Sequence, residues 1–347
     1  MSQTLYHTFK RHRTLQTHRI SALPIVILMP HSACNCRCIM CDIWKGNNNL
    51  KQLSENDVSL LLDTLSKFET QQVLMSGGEA ILNPNFFKLC EILKKENIRI
   101  SLLSSGLILK KHAAELVKWV SEIIISLDGD QETHDRIRSI PGAYNKIAES
   151  IQAIRQIDRG YPIKARTVIQ KHNFHIWPLI IESAKMLGFD QISFLAADVS
   201  SSAFNRKEVW EETRQYEIIP SKAQVEELKL VLDNVIINYH TDFANNFIAE
   251  SSNKIKKIYQ YYAALYETGD FPYKKCNAPW VSTVIEADGN VRPCFFHEPY
   301  GNIHNHTLDN IINSPEAIHF RRTLDMNENE TCRKCVCYLN LKPGIHV

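Results

Sequence analysis

The sequence lacks three features that would place the protein in other classes. It has no apolar run long enough to span a membrane, since the strongest covers only residues 25–29. Its N-terminus lacks the apolar core of a secretory signal. Charges nearly balance, with 40 Lys and Arg against 38 Asp and Glu, so no overall field favours nucleic acid or an anionic membrane. We therefore expect a cytoplasmic protein without nucleic-acid or membrane partners.

Cysteine is the residue type that the sequence has in excess. Of the ten cysteines, four lie within residues 34–41 and five within residues 276–337. These groups are too clustered for a disulfide framework in a chain of this length, and in a reducing compartment they indicate metal. Cys90 stands alone, and we interpret it as a small hydrophobe on a buried helix face.

The first group has the spacing C-x3-C-x2-C, formed by Cys34, Cys38 and Cys41. Three thiolates hold three irons of a 4Fe–4S cubane and leave the fourth iron open to a ligand. A zinc knuckle with a distant fourth ligand is the alternative. The spacing argues against Cys36 as a ligand, and we interpret it as a small buried hydrophobe.

Short apolar runs alternate with helical patterns over the first 200 residues. The runs are continuously apolar, as buried parallel strands are, and cover residues 24–29, 72–75, 98–103, 122–127, 163–169 and 191–195. Helical patterns begin at Ser54 and at residues 83–84, and cover residues 109–120, 143–158 and 174–187. Six strands with crossover helices predict a parallel α/β fold. Functional residues of such folds follow the carboxyl ends of strands, which is where the cysteine loop lies.

We expect four segments along the chain. Residues 1–23 form a basic arm exposed to solvent rather than an anion-binding site, and residues 24–204 form the α/β core. Residues 205–269 form a connector with helices at 221–238 and 243–267. Residues 270–347 contain the second cysteine group, a hairpin of residues 281–286 and 291–294 around Asp288-Gly289, and a helix at 307–324.

The segment Cys34-Asn35-Cys36-Arg37-Cys38-Ile39-Met40-Cys41 resembles the signature of the radical S-adenosylmethionine (radical SAM) enzymes. Four further motifs resemble those of the family: Ser76-Gly77-Gly78-Glu79, Ser104-Ser105-Gly106, Ser126-Leu127-Asp128-Gly129 and His134-Asp135-Arg136-Ile137-Arg138. Ala80 is a departure, because the family usually has proline there.

The resemblance implies a partial (β/α)6 TIM-like barrel and a SAM-binding 4Fe–4S cluster held by Cys34, Cys38 and Cys41. Reductive cleavage of SAM would give a 5′-deoxyadenosyl radical that removes a hydrogen atom from the substrate. The residues implied to bind SAM or substrate hydroxyls are Met40, Ser76, Gly77, Gly78, Glu79, Ser104, Ser105, Ser126, Asp128 and Arg166. The serines equally suit helix caps, and Arg166 equally suits pairing with a structural acid.

The second group reads Cys276-x12-Gly289-x4-Cys294 and then Cys332-x2-Cys335-x-Cys337. It resembles the auxiliary-cluster module of radical SAM enzymes, called SPASM in its full form and twitch in its shortened form. The full form needs more cysteines, so the resemblance implies one auxiliary 4Fe–4S cluster on Cys276, Cys294, Cys332 and Cys335. Cys337 then either replaces Cys335 as a ligand or is a free thiol. A structural zinc ribbon is the alternative for this group.

The reaction that this resemblance favours is oxidation of a small carbohydrate-like or aminocyclitol substrate, with the auxiliary cluster accepting an electron. Epimerisation with Cys337 as hydrogen donor, peptide modification, and a non-catalytic structural or redox-sensing role are the alternatives. A peptide is disfavoured because only 23 residues precede the first strand, where peptide-modifying relatives often carry a leader-binding domain. A reductant such as flavodoxin or ferredoxin is the expected partner.

Overall fold

The computed structural model describes residues 3–345, through which one mixed sheet runs. Its strand order is β6-β5-β4-β3-β2-β1-β7-β8-β9. The strands are β1 Ile25–Leu28, β2 Gln72–Met75, β3 Arg99–Ser104, β4 Glu122–Ser126, β5 Ile163–Ile169, β6 Gln191–Ala196, β7 Ser282–Ile285, β8 Asn290–Arg292 and β9 Gly301–Asn302. Strands β1 to β6 pair in parallel, each with the next in sequence. The predicted α/β fold with a parallel core is confirmed, and each predicted strand of that core lies within one residue of its observed bounds.

Helices connect successive parallel strands and cover the sheet. They are α1 Gln3–Thr17, α2 Glu55–Lys67, α3 Phe86–Lys95, α4 Ala113–Trp119, α5 Gln131–Arg138, α6 Ala143–Ile157, α7 Trp177–Leu187, α8 Glu212–Ile218, α9 Lys222–Asn238, α10 His240–Ala244, α11 Ser252–Leu265, α12 Ala278–Val281, α13 Leu308–Ile312, α14 Pro315–Thr323 and α15 Glu330–Lys334. Helix α2 begins at a capping box, in which Ser54 and Asp57 bond each other's backbone N–H groups. No helix of residues 3–345 is long and apolar enough to cross a membrane.

The N-terminal segment is not the solvent-exposed arm that its basic residues predict. Residues 3–17 form helix α1, in which Arg11 and Thr14 are only 3% and 1% exposed. The Arg11 guanidinium donates to Gln71 Oε1 at 3.1 Å and to the Pro343 carbonyl at 3.2 Å. The prediction was wrong because these contacts join residues that are far apart in sequence.

The C-terminal segment continues the central sheet. Strand β7 pairs in parallel with β1, and β8 and β9 follow it as antiparallel strands. The predicted helix over 307–324 is two helices, because Ser314 caps α14 and Pro315 occupies its first turn. In the connector, the predicted helix at 243–267 is also divided, since Ser251 caps α11 and the short α10 precedes it.

Candidate cofactor cavity and auxiliary cysteine site

The cysteine loop follows β1 and packs directly on the Ser76–Glu79 motif that follows β2. The Glu79 N–H donates to the Ala33 carbonyl at 2.8 Å. A Cβ atom at Gly78 would lie 2.1 Å from the same carbonyl oxygen. Glycine at this position therefore lets the cysteine loop approach the end of β2, a role that the motif alone did not reveal.

One cavity of about 250 Å3 lies at the carboxyl ends of the parallel strands. Its lining includes the three predicted cluster ligands Cys34, Cys38 and Cys41. Of the residues predicted to bind SAM or substrate, it includes Met40, Ser76, Gly77, Gly78, Ser104, Ser105, Ser126 and Arg166. We call this space the cofactor cavity. The fold thus brings together motifs from the ends of four strands and Arg166 from within β5.

Glu79 was predicted to contact SAM, but it does not line the cofactor cavity. Its side chain is fully buried and accepts hydrogen bonds from Ser104 Oγ at 3.0 Å, Ser105 Oγ at 2.5 Å and the Ser105 N–H at 2.8 Å. Burial raises the pKa of Glu79, and these hydrogen bonds oppose that rise. Glu79 therefore positions the two serines that do line the cavity.

Asp128 also lies behind the cavity wall rather than on it. It is fully buried, and its Oδ2 lies 2.5 Å from an Nη atom of Arg138. Its Oδ1 accepts a hydrogen bond from the Val168 N–H at 3.2 Å. The other Nη atom of Arg138 lies 3.4 Å from Cys38 Sγ. Asp128 thus holds a guanidinium against a predicted cluster ligand, and Arg138, for which the sequence indicated no role, lines the cofactor cavity.

Electrostatics differ among the loop thiols. Burial acts to lower the pKa of Arg138, but Asp128 and Cys38 outweigh it and raise that pKa. The Cys36 thiol donates to Cys38 and, together with Arg138, lowers the pKa of Cys38 to about 6 against the effect of burial. Burial raises the pKa of Cys41 to about 12. Cys36 is 2% exposed, as expected, yet it contacts its neighbours as a polar group rather than as a hydrophobe.

The donor set around the loop fits an iron–sulfur cluster. Backbone N–H groups of Cys36 and Ile43 lie 3.5 Å from the sulfurs of Cys34 and Cys41, which is the kind of contact that stabilises cluster thiolates. Across residues 3–345, no three or more His, Cys, Asp or Glu side chains converge closely enough to hold a single metal ion.

Arg166 lines the cofactor cavity with part of its guanidinium available. Its Nε donates to Ser193 Oγ at 3.2 Å. In the part of the chain that the structure describes, it forms no direct ion pair with an acid, although its charge acts on the buried Glu250 and opposes the rise that burial causes in the pKa of that carboxyl group. A guanidinium in this setting suits a carboxylate ligand.

The connector covers the cysteine loop, which sequence reasoning did not detect. Trp210 Nε1 donates to Asp42 Oδ2 at 2.9 Å, and the Arg206 guanidinium lies 3.8 Å from the centre of a Trp210 ring. Arg206 in turn forms a buried ion pair of 2.6 Å with Asp198. These contacts join the segment after β6 to the residue that follows Cys41.

A second cavity of about 430 Å3 shares part of its wall with the cofactor cavity, and we call it the outer cavity. Phe204 and Phe296 line both cavities and pack edge to face at 6.1 Å. Phe204 has φ of +61°, a conformation that a bulky residue rarely adopts. An aromatic wall held in this way borders the route between the two cavities.

The five C-terminal cysteines surround a small space, the auxiliary cavity, whose lining includes Cys276, Cys294, Cys332, Cys335 and Cys337. Burial raises the pKa of Cys294 to about 12, although the N–H groups of Phe296 and His297 bond to it. His297 Nε2 lies 3.3 Å from Cys332 Sγ. Burial also lowers the pKa of Lys274, whose ammonium group faces these thiols, to about 8.

Cys337 differs from the other four thiols of this group. It is exposed, whereas Cys335 is half-buried and donates its thiol hydrogen to the Cys337 carbonyl at 3.3 Å. Cys337 also lines the cofactor cavity, which the other four do not. The structure therefore brings one C-terminal thiol to the boundary between the two cysteine sites.

Comparison with known proteins defines the class to which this fold and these sites belong. A family model for the radical SAM superfamily matches residues 28–175, and a model for the iron–sulfur cluster-binding domain called SPASM matches residues 276–336. The chain belongs to the radical SAM superfamily and carries a C-terminal SPASM domain. These domains imply 4Fe–4S clusters and SAM binding, for which the cofactor and auxiliary cavities provide fitting donors.

Similar curated proteins have several different activities. The AdoMet-dependent heme synthase of Methanosarcina barkeri is 26% identical over 45% of this chain and 46% of its own length. The subtilosin biosynthesis protein AlbA of Bacillus subtilis is 24% identical over 88% of this chain and 62% of its own. The PqqA peptide cyclase of Rhodopseudomonas palustris is 23% identical over 78% of this chain and 67% of its own length. The chain thus spans about half the length of the first of these curated relatives.

Solved structures share the fold. SuiB of Streptococcus suis, bound to its precursor peptide SuiA, superposes with a TM-score of 0.63 at 14% identity and covers 93% of this chain and 72% of its own. The protein anSMEcpe, bound to AdoMet and a peptide, superposes with a TM-score of 0.65 at 18% identity. The match covers 91% of this chain and 89% of anSMEcpe. At these identities the likeness establishes the architecture alone.

Proposed function

We propose that the protein is a radical SAM oxidoreductase that removes a hydrogen atom from a peptide substrate and completes the oxidation with an auxiliary cluster. The observation that carries the proposal is that one cavity collects three cysteines, the SAM-motif residues and Cys337 from the auxiliary site. When bound, the cluster and SAM supply the radical that attacks the substrate.

The side chains of the cavity have separate roles in this proposal. Cys34, Cys38 and Cys41 hold the SAM-binding cluster. Arg166 pairs with the carboxylate of SAM, because its guanidinium has donors that no acid occupies. Met40 packs against the adenine with its apolar thioether. Phe204 helps to exclude water at the boundary of the cavity.

For the auxiliary cluster we propose Cys276, Cys294, Cys332 and Cys335 as ligands. All four are partly buried, and the Cys335 thiol donates a hydrogen bond to the carbonyl of Cys337. Cys337 is exposed and lines the cofactor cavity as well as the auxiliary cavity. This arrangement leaves Cys337 as the free thiol.

A peptide is favoured over a carbohydrate-like substrate by two observations. AlbA, a bacteriocin biosynthesis protein, and the PqqA peptide cyclase are similar over 88% and 78% of this chain. The outer cavity adds about 430 Å3 beside the cofactor cavity, which is room for a chain segment. The number of residues before β1 no longer counts against a peptide, because the chain spans only part of its relatives. The carbohydrate-like or aminocyclitol substrate stays an untested prediction.

A second candidate function is epimerisation, in which a thiol returns a hydrogen atom to the substrate. It is favoured by one observation, the place of Cys337 on both the cofactor and the auxiliary cavity. The Cys337→Ala variant distinguishes the two reactions. Oxidation would persist in this variant, whereas epimerisation would be lost while SAM cleavage continues.

The test of the proposed function uses anaerobically reconstituted protein with dithionite, SAM and deuterated candidate peptides. We expect 5′-deoxyadenosine that contains deuterium, and no SAM cleavage in Cys34→Ala, Cys38→Ala or Cys41→Ala. Cys276→Ala and Cys294→Ala should retain uncoupled SAM cleavage and lose the oxidised product. Iron without any 5′-deoxyadenosine would instead favour a structural or redox-sensing protein, and zinc without iron would refute both cluster assignments.

The cellular partner and compartment are part of the same proposal. A flavodoxin or ferredoxin would replace dithionite as the reductant. All ten cysteines are free thiols, which fits a reducing compartment such as the cytoplasm. Fractionation of cells that produce the protein would test this placement.

A further inference from the structure

A basic surface lies beside the auxiliary cysteines. It consists of Lys254 and Lys257 on helix α11, Lys275 before Cys276, and Arg333 within the Cys332–Cys335 turn. Lys254, Lys275 and Arg333 are exposed, and Lys257 is half-buried. We call these four residues the basic surface. They come from three separate parts of the chain, so the sequence does not reveal that they form one surface.

Contacts around two tyrosines hold Lys254 and Lys257 beside the auxiliary site. The ammonium groups of Lys254 and Lys257 lie 5.6 and 5.3 Å from the centre of the Tyr338 ring. Lys257 Nζ also donates to the Tyr273 carbonyl at 2.8 Å. Tyr338 lines the auxiliary cavity, so that α11 and the cysteines are joined through a single aromatic ring.

A buried lysine joins the other side of the surface to the same cysteines. Lys274 Nζ donates to the Arg333 carbonyl at 2.7 Å and to the Cys335 carbonyl at 2.6 Å. This fixes Lys275, its neighbour, beside the turn that carries Arg333. The segments that carry all four basic residues therefore border the auxiliary site.

Two carboxylates lie near this surface without forming a close ion pair with its four basic residues. Glu250 is near Lys254, and Glu330 pairs with Lys334 and has its pKa lowered partly by the charge of Arg333. Within residues 3–345, Lys257, Lys275 and Arg333 form no ion pair with a carboxylate. Lys254 has only a long contact of 3.7 Å with Glu250. The chain as a whole has a net charge of +2, so a local excess of this kind stands out against a nearly neutral molecule. Such an excess attracts acidic partners and accelerates their association.

We propose that the basic surface docks a small acidic electron-carrier protein at the auxiliary site. The charges supply the attraction, and Tyr273, which is 61% exposed and whose carbonyl accepts a hydrogen bond from Lys257, supplies an aromatic contact. The proposal rests on the auxiliary cluster of the proposed function. After a hydrogen atom has been removed from the substrate, one electron and one proton remain to be lost. The oxidised carrier takes the electron, and solvent takes the proton.

A separate location for substrate supports a carrier rather than a peptide at this surface. None of the four basic residues lines the cofactor cavity or the outer cavity. A carrier at the basic surface would therefore contact residues outside both cavities, although Lys254 and Lys257 line a small pocket that shares Leu195, Ala196 and Val336 with the cofactor cavity.

The experiment measures binding of an acidic oxidised flavodoxin to the reconstituted holoenzyme by isothermal titration calorimetry, at low and high ionic strength. One variant combines the substitutions Lys257→Glu, Lys275→Glu and Arg333→Glu. A second variant has glutamine at the same three positions. The matched control variant replaces Lys94, Lys111 and Lys146 by glutamate. These three lysines are exposed on the helical segments that connect the parallel strands. Iron content and the electronic spectrum of each protein are measured alongside.

We expect Kd to rise about tenfold or more in the glutamate variant, with a smaller rise in the glutamine variant. The salt dependence of binding should weaken in both. The control variant should bind within about twofold of the natural protein. The proposal is overturned if the control variant loses as much affinity, if neither variant at the basic surface changes Kd, or if an acidic substrate peptide displaces flavodoxin competitively. Dithionite-driven SAM cleavage needs no carrier, so its loss would contradict the proposed function instead.

Discussion

Replacing Asp128 by Asn removes a buried charge without changing the shape of the side chain. The Arg138 side chain is 10% exposed and Asp128 is fully buried, with 2.5 Å between their charged atoms. In the variant, the Asn oxygen still accepts a hydrogen bond from the Val168 N–H. Its NH2 group takes the place of the oxygen that faced Arg138, so that two hydrogen-bond donors face each other. Arg138 then remains buried with only the Cys38 sulfur to offset its charge.

The expected loss in the free energy of unfolding follows from that geometry. Breaking a buried pair by removing one partner costs about 3–5 kcal/mol, because the remaining charge is desolvated and unpaired. Because the Cys38 sulfur still contacts the Arg138 guanidinium at 3.4 Å, we expect a cost at the lower end of this range, about 3 kcal/mol. The double variant Asp128→Leu, Arg138→Met removes both charges and should cost less than the single substitution.

Urea unfolding of the metal-free protein at pH 7.5 measures these differences. Glu149→Gln is the control, because the Lys110–Glu149 pair spans 3.1 Å on the surface, with side chains 61% and 55% exposed. That substitution should change stability by about 0.5 kcal/mol or less. A cost below about 1 kcal/mol for Asp128→Asn, or an equal cost for the double variant, would refute the argument that the pair compensates a buried charge.

Three further predictions follow from single contacts. Gly78→Ala should reduce iron loading of the first site, measured per chain, because its methyl group would meet the Ala33 carbonyl at 2.1 Å; normal loading would contradict this. Burial lowers the pKa of His134 to about 3, so the unfolded chain binds more protons between pH 6.5 and 3 and stability falls as pH falls through that range. His134→Asn should lose less stability than the natural protein between pH 7 and 5 in urea titrations. An unchanged loss would show that His134 does not cause this pH dependence. His297→Phe should lower the reduction potential of the auxiliary cluster, seen by redox titration in protein lacking the first cluster, because the contact with Cys332 is lost; an unchanged potential would argue against that hydrogen bond.

The parallel core and the first cysteine loop could be predicted from sequence because their signals are local. A continuously apolar run buries both faces of a strand, and six such runs were found within one residue of their observed ends. The spacing of Cys34, Cys38 and Cys41 places three thiols on one short loop, whatever packs around it. Motifs at strand ends were likewise brought to one cavity, because parallel strands have their carboxyl ends at the same edge.

Roles behind the cavity wall could not be predicted in the same way. Glu79 and Asp128 belong to SAM motifs, but the structure turns their carboxylates toward Ser105 and Arg138 and away from the cavity. A motif gives the residue type and its position in the chain, whereas the direction of a side chain depends on which partners the fold places beside it. For a buried carboxylate, the nearest donors decide that direction, since an unpaired charge is too costly.

The sequence by itself determined the fold class, the family and the two cysteine groups, because these depend on apolar patterns and on spacings within a few residues. Only the tertiary structure decided that β7 joins β1 in one sheet, that helix α1 is packed rather than solvated, and that Arg138 contacts Cys38 across 100 residues. It also brought Cys337 to the cofactor cavity and four basic residues to one surface. These are contacts between distant parts of the chain, and their formation depends on how the whole molecule buries its apolar surface.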